Sequence, residues 1–215
     1  MPTEVTITGY LFTELAADIQ QQVLERECRL HYENLPCEWV TEEIQDYVRT
    51  ELGTPPKPNG HSDIDDLKVA YSLGYCQGDG VALYGTLYRF QAPLLAWPDG
   101  LDSIKLERNS LATHYSHENT FTTEGYDEDG NYTYGVVDIA GITLDLRALC
   151  RRAAAYGYKW IENATSPEAV KDYLVQDDCL FTVNGKVISL QYDYERVSVW
   201  ATRHSRLLTR KLMRY

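Results

Sequence analysis

The chain is poor in positive charge and has no long apolar run. Its 215 residues carry 20 Lys and Arg against 32 Asp and Glu, a net charge of −12. Phosphate backbones are held chiefly by Lys and Arg, so this balance argues against general nucleic-acid binding. Such acidity is compatible with a solvated surface, a surface that repels DNA, or one that imitates it. No segment approaches the roughly 20 apolar residues that span a bilayer, so no membrane association is expected. Met1-Pro2-Thr3-Glu4 has neither a basic nor an apolar signal region, so no secretory leader is expected. The five cysteines, Cys28, Cys37, Cys76, Cys150 and Cys179, form no Cys-x-x-Cys pair. An odd number at scattered spacings indicates neither a zinc ribbon nor a disulfide framework, and free thiols in a reducing cytoplasm are the expectation. Internal repeats and low-complexity tracts are absent.

What is present suits a globular chain. Hydrophobic residues make up 44% and charged residues 24%, enough for a sizeable core. Phenylalanine is scarce, at 4, but tyrosine numbers 17, so many contacts carry a phenol that needs a partner. Charge is unevenly placed: residues 1–66 hold fourteen acids and four basic residues, whereas all six charges after Glu195 are basic.

Periodicity predicts an α+β fold: an antiparallel sheet built from hairpins and packed against N-terminal and middle helices. One domain over residues 1–215 is expected, with a possible subdivision into 1–140 and 141–215. Thr13 is placed as the cap of a helix to Arg29, on the spacing of Leu15, Ile19, Val23 and Leu24. Trp39, Ile44, Tyr47, Val48 and Leu52 predict a second helix, capped by Thr41 and stopped at Gly53. Residues 54–60 are proline-rich loop. Alternation predicts strands over 67–75 and 81–90, joined at Gln77-Gly78-Asp79-Gly80, where two glycines tolerate positive φ. Residues 91–100 are loop and 101–108 are ambiguous. A long strand is predicted over 111–126, turning at 127–131 into a partner over 132–139. Residues 144–158 read as helix. Ser166-Pro167-Glu168 opens another, to about Gln176. Asn184-Gly185 joins a hairpin between 180–183 and 186–190. Val197, Val199 and Trp200 extend the sheet, and 203–214 form a basic helix.

Candidate chemistry is sparse. The Gln77-to-Gly80 segment is flanked by strands and lacks the Lys and helix N-terminus of a phosphate loop. It reads as a tight turn or a recognition loop. In His114-Tyr115-Ser116-His117-Glu118 a strand would place His114 and His117 on opposite faces, so no metal site is expected. An acid–base role for His117 with Glu118 or Asp79 stays open, as does Cys76 as a nucleophile beside a histidine. Asp127-Glu128-Asp129 lacks the rest of a calcium loop. No cofactor is expected. Arg203, Arg206 and Arg210 fall at helical spacing and would contact nucleic acid, an acidic partner or the chain's own acidic third.

Four segments then combine: Tyr10-Leu11-Phe12-Thr13-Glu14-Leu15, Tyr71 to Val81, His114 to Glu118, and Leu180 to Lys186. Their order resembles a family of phages and bacteria often labelled "antitoxin of toxin–antitoxin stability system". Its pattern is a Tyr-x-Phe-x-Glu-Leu helix start, an aromatic–Ser/Cys–Gln-Gly-Asp-Gly hairpin and a His-x-x-His-Glu segment. Cys76 stands where relatives often carry Ser, which argues against a thiol nucleophile as the shared activity. The resemblance implies a phage accessory protein, in the cytoplasm of a bacterial host, that binds a host protein such as a toxin or a defence component. Its surface would comprise Tyr75, Cys76, Gln77, Asp79, His114 and His117. Two rivals stand beside it. One is a small hydrolase using Asp79, His117 and Glu118. The other is an acidic DNA mimic, which requires acids in rows at phosphate-like spacing. Oligomeric state is left open.

Overall fold

The structure, a computed structural model, describes residues 8–54, 66–109, 115–135, 137–188 and the backbone of 201–203 and 206–208. His114, Arg196, Arg210 and the expected strand at 197–200 lie outside the described residues, as does most of the proline-rich loop. In chain order the elements are β1 (Tyr10–Leu11), α1 (Ala17–Glu33), α2 (Cys37–Leu52), β2 (Leu67–Ser72), β3 (Gly80–Tyr88), β4 (Ser103–Arg108), β5 (Phe121–Tyr126), α3 (Ala140–Ala164), α4 (Pro167–Gln176), β6 (Leu180–Phe181), β7 (Ala201–Arg203) and β8 (Arg206–Leu208). This is the α+β class read from periodicity. The chain divides into two compact units, Met1–Leu35 with Asn163–Tyr215, and Pro36–Glu162.

In the first unit β1 and β6 pair antiparallel, Tyr10 opposite Phe181. Phe12, Leu15, Val23, Val170, Leu174 and Phe181 form its buried cluster, with the Phe12 and Phe181 rings edge-on at 6.3 Å. Thr13 caps no helix. It lies in a 3₁₀ turn, Phe12–Glu14, closed by the Leu11 N–H donating to the Glu14 carboxylate at 2.9 Å. The long helix starts afterwards, at Ala17. Ser166 caps α4 as expected, its hydroxyl accepting the Ala169 N–H at 3.2 Å. Asn184-Gly185 turns the chain after β6, with Gly185 at φ 74°. A Cβ on Gly185 would approach Val23 and Ile19 of α1 to 2.7 and 2.9 Å, so this turn also needs glycine for space. The expected basic helix over 203–214 is corrected where it is described: β7 and β8 pair antiparallel, Arg203 opposite Arg206, and the rest of that stretch lies outside the described residues. Thr202 favours extended backbone.

The second unit is a four-stranded antiparallel sheet in the order β2-β3-β4-β5. In β4, buried Ile104 and Leu106 alternate with exposed Lys105 and Glu107, the pattern of a sheet covered on one face. The cover is helical. Val40, Ile44, Val48 and Leu52 line the buried stripe of α2, whereas Trp39, expected in that stripe, is 58% exposed. On α3 the stripe is Ile142, Leu146, Leu149, Cys150, Ala153, Gly157 and Ile161. Gly157 has no room for a side chain: a Cβ would come within 2.7 Å of Leu73 and 3.1 Å of Ile44. Arg152 bridges to Glu51 at 2.9 Å, and Tyr156 stacks on Tyr47 at 4.5 Å.

The expected strand over 111–126 is shorter. It begins at Phe121, because the Thr120 hydroxyl and N–H both turn back to the His117 carbonyl, at 2.7 and 2.9 Å. Tyr132 meets β5 in an isolated bridge to Tyr126, and the Thr133 N–H donates to the Gly125 carbonyl at 3.0 Å, but the described residues that follow form no partner strand.

Candidate functional site

The site is built on the β2–β3 hairpin, which lies wholly in the second unit. β2 ends at Ser72 rather than at Tyr75, and residues 73–79 make a structured connection. Its last part is a β-turn in which the Asp79 N–H donates to the Cys76 carbonyl at 3.2 Å. Gly78, at φ 95°, supplies the left-handed third position that such a turn requires. Gly80 serves a different end. Its backbone is not left-handed, but a Cβ there would lie 2.7 Å from the His117 side chain and 3.0 Å from its Cα. Of the two glycines, one is conformational and the other is steric.

Asp79 holds the connection together. One carboxylate oxygen accepts the Ser72 hydroxyl at 2.7 Å. The other accepts the Cys76 N–H at 2.7 Å and the Tyr158 hydroxyl at 3.0 Å. Burial acts to raise the Asp79 carboxyl, but the donors Cys76, Ser72, Tyr158 and Gly74 outweigh it and hold the group below its ordinary value of 3.8. Burial first, then the bond to Asp79 and its charge, push Tyr158 up to about 12. Tyr158 is therefore a fixed donor to an acceptor that is ionised at neutral pH.

The tip stands on this clamp. Tyr75 takes φ 58°, a left-handed backbone that a bulky residue adopts only when its surroundings enforce it. Its ring lies 4.7 Å from that of Tyr158, and its hydroxyl donates to Glu162 at 3.0 Å. Tyr75 is nevertheless 60% exposed, and Cys76 and Gln77 beside it are exposed. Tyr115, 49% exposed, packs against the tip, since a Cβ on Gly78 would lie 3.2 Å from its ring.

The hairpin and the segment containing His117 thus meet, but through glycines and backbone. Asp79 bonds Ser72, Cys76 and Tyr158 and makes no bond to His117. The His117 Nδ1 accepts the Asn119 N–H at 3.2 Å. Glu118 faces Arg151 at 3.8 Å. The Cys76 thiol approaches the Gly74 carbonyl at 3.5 Å rather than His117. A nucleophile–base pair needs hydrogen-bond reach, and none of these groups has that relation to another. No group of three metal-ligating side chains comes together among the described residues. No helix among them is long and apolar enough to cross a membrane. On α2, Asp46 pairs with Arg49 at 2.8 Å and Glu51 with Arg152, while Glu43 accepts the Tyr156 hydroxyl at 3.1 Å. Three of its five acids, Glu43, Asp46 and Glu51, are therefore drawn into pairs.

Sequence reasoning missed Tyr158, Glu162 and Tyr115. The first two are one helical turn apart on α3, which places them on one face, but nothing local aims that face at a hairpin far back in the chain. Compared with protein-family models, curated proteins and solved structures, the chain matches none.

Proposed function

We propose that the chain acts by binding a protein of a bacterial host, a toxin or a defence component, and that the hairpin tip is its principal contact. Tyr75, Cys76, Gln77 and Tyr115 form the contact surface. The observation that carries this reading is the combination of exposure and restraint at the tip. Exposed aromatic side chains are effective anchors when their geometry is fixed beforehand, because little ordering entropy remains to be lost on binding. Here a carboxylate with three donors fixes the backbone beneath an exposed Tyr75. The polar groups near the tip are spent on structure, which suits recognition better than proton transfer. The resemblance to antitoxin-labelled proteins supplies the class of partner, and the bacterial cytoplasm is the compartment this reading requires.

The test is affinity capture from host lysate with two baits, the wild-type chain and a Tyr75→Ser/Gln77→Ala/Tyr115→Ser variant of matched melting temperature. A stoichiometric partner retained by the first bait and lost by the second is expected. An identical set of captured proteins with both baits, or none with either, refutes the reading.

A further inference from the structure

The hydrogen bonds of β2 leave one edge of the sheet incomplete. The register pairs Leu67 with Gly85 through to Ser72 with Gly80, and the Thr86 N–H donates to the Asp66 carbonyl at 3.0 Å. In an antiparallel ladder this phase turns Lys68, Ala70 and Ser72 toward β3. It turns the N–H and C=O of Leu67, Val69 and Tyr71 away, toward the outer edge. The Leu67 carbonyl is capped by the Gln45 side-chain amide of α2 at 3.0 Å. The outward N–H and C=O of Val69 and of Tyr71 meet no partner among the described residues. The Tyr71 phenol is turned elsewhere, donating to the Cys37 carbonyl at 3.1 Å.

Beside this edge lies an open depression of about 420 Å³, bounded by Cys37 and Thr41 of α2, the Val69–Tyr71 edge and the Arg108–Ser116 pair. Arg108 donates to the Ser116 hydroxyl at 3.1 Å and lies 5.8 Å from the centre of the Tyr84 ring. Its guanidinium gives the depression a positively charged lip. Sheets usually blunt such edges with charge or a covering element. Among the described residues, β2 is blunted in this way at its start, by Gln45 and exposed Lys68, and not at Val69 and Tyr71.

We propose that the Val69–Tyr71 edge is a second binding surface that receives an extended peptide of a partner protein as an added strand. Alternating donors and acceptors repeating every two residues, about 6.6 Å apart, match an extended backbone and no other common ligand. The surface is separate from the hairpin tip and does not depend on the tip's role.

The experiment pans a displayed library of random linear nine-residue peptides against the full chain and takes the tightest binder. In the free chain the Val69 and Tyr71 amides exchange quickly and those of Lys68 and Ala70 slowly; with peptide bound, Val69 and Tyr71 become slow. N-methylation at every second peptide residue weakens binding about tenfold per site, and the intervening positions tolerate it. Tyr71→Pro, which removes an outward N–H at a position where an edge strand accepts proline, costs a similar factor, whereas Tyr71→Phe and Tyr75→Ser leave the affinity unchanged. The proposal is overturned by recovery of no peptide, by N-methyl effects without alternation, or by protection confined to other amides. It is equally overturned if Val69 and Tyr71 become protected as protein concentration rises without peptide, which would assign the edge to a second copy of the chain.

Discussion

Removing the Asp79 clamp separates charge from geometry. In Asp79→Ala three hydrogen bonds to a carboxylate disappear, from Ser72, Cys76 and Tyr158. Bonds to charged groups contribute about 1.5–3 kcal/mol each when well shielded. This carboxylate is half-exposed and its hydroxyl partners regain water, so about 1 kcal/mol per bond, and about 3 kcal/mol in total, is expected. For a chain of this length that lowers the melting temperature by about 6–12 °C. Asp79→Asn is milder. Its carbonyl oxygen can take the position facing Cys76 and Tyr158, and its amide can donate to the Ser72 hydroxyl, which accepts as readily as it donates. Geometry survives and charge assistance is lost, for about 1–2 kcal/mol. The two variants also differ at the tip: the Cys76 amide, protected from exchange in the wild type, stays partly protected in Asp79→Asn and exchanges freely in Asp79→Ala. The pH dependence follows from the depressed carboxyl. Because the folded value lies below the ordinary 3.8, the unfolded chain takes up the proton first as pH falls. The stabilisation is complete at neutral pH and fades as pH drops below about 4 through the folded value. The stability gap between wild type and Asp79→Asn therefore narrows in that window. Equal melting temperatures for wild type and Asp79→Ala, or a gap that widens on acidification, would refute the clamp.

Three further outcomes can be checked directly. Gly85→Ala should abolish folding of the second unit, at a cost above about 4 kcal/mol, because φ is 108° and the new Cβ would lie 1.8 Å from the Asp66 carbonyl oxygen; a cooperative melt near the wild-type temperature would contradict this. Ser166→Ala should lose about 1 kcal/mol through the vacated cap of α4, read as a shift in denaturant midpoint at constant slope. In native chain, a thiol reagent at pH 8 should label exposed Cys37 and Cys76 rapidly and spare Cys150, which is buried and pushed up to about 12 by that burial; mass spectrometry showing Cys150 modified at the rate of Cys76 would be the contrary result.

Local signals locate several element ends, though not the start of α2, where Thr41 is no cap but lies inside the helix with its hydroxyl donating to the Cys37 carbonyl at 2.8 Å. Ser166-Pro167-Glu168 specifies a helix start within four residues, and the structure places the helix there. Gly53 ends α2 because its left-handed φ of 70° turns the chain so that the Thr54 N–H reaches back to the Arg49 carbonyl at 3.0 Å. The failures arise where a distant contact decides. Thr13 has the chemistry of a cap, but Phe12 is drawn into the cluster around Phe181, and the helix waits until Ala17. α3 runs from Ala140, well before the expected Leu144. Gly141 and Thr143 are poor helix formers, yet the Thr143 hydroxyl lies 2.8 Å from that of Thr123 on β5.

The Gln77-to-Gly80 hairpin shows the same division within one motif. Its turn was legible because Gly78 and Asp79 carry turn chemistry in themselves. The reason for Gly80 was not, because it depends on where His117 passes. Nor was the partner of Asp79. From the sequence His117 was the natural candidate, since a carboxylate beside a histidine is a familiar acid–base pair. The fold instead delivers Tyr158, 79 residues further along the chain. That substitution alters the kind of site the hairpin can be. A histidine partner would have made Asp79 half of a proton relay; a tyrosine held at about 12 donates one hydrogen bond and keeps its proton throughout the physiological range. The motif therefore fixes a shape, and it leaves Tyr75, Cys76 and Gln77 exposed at its surface.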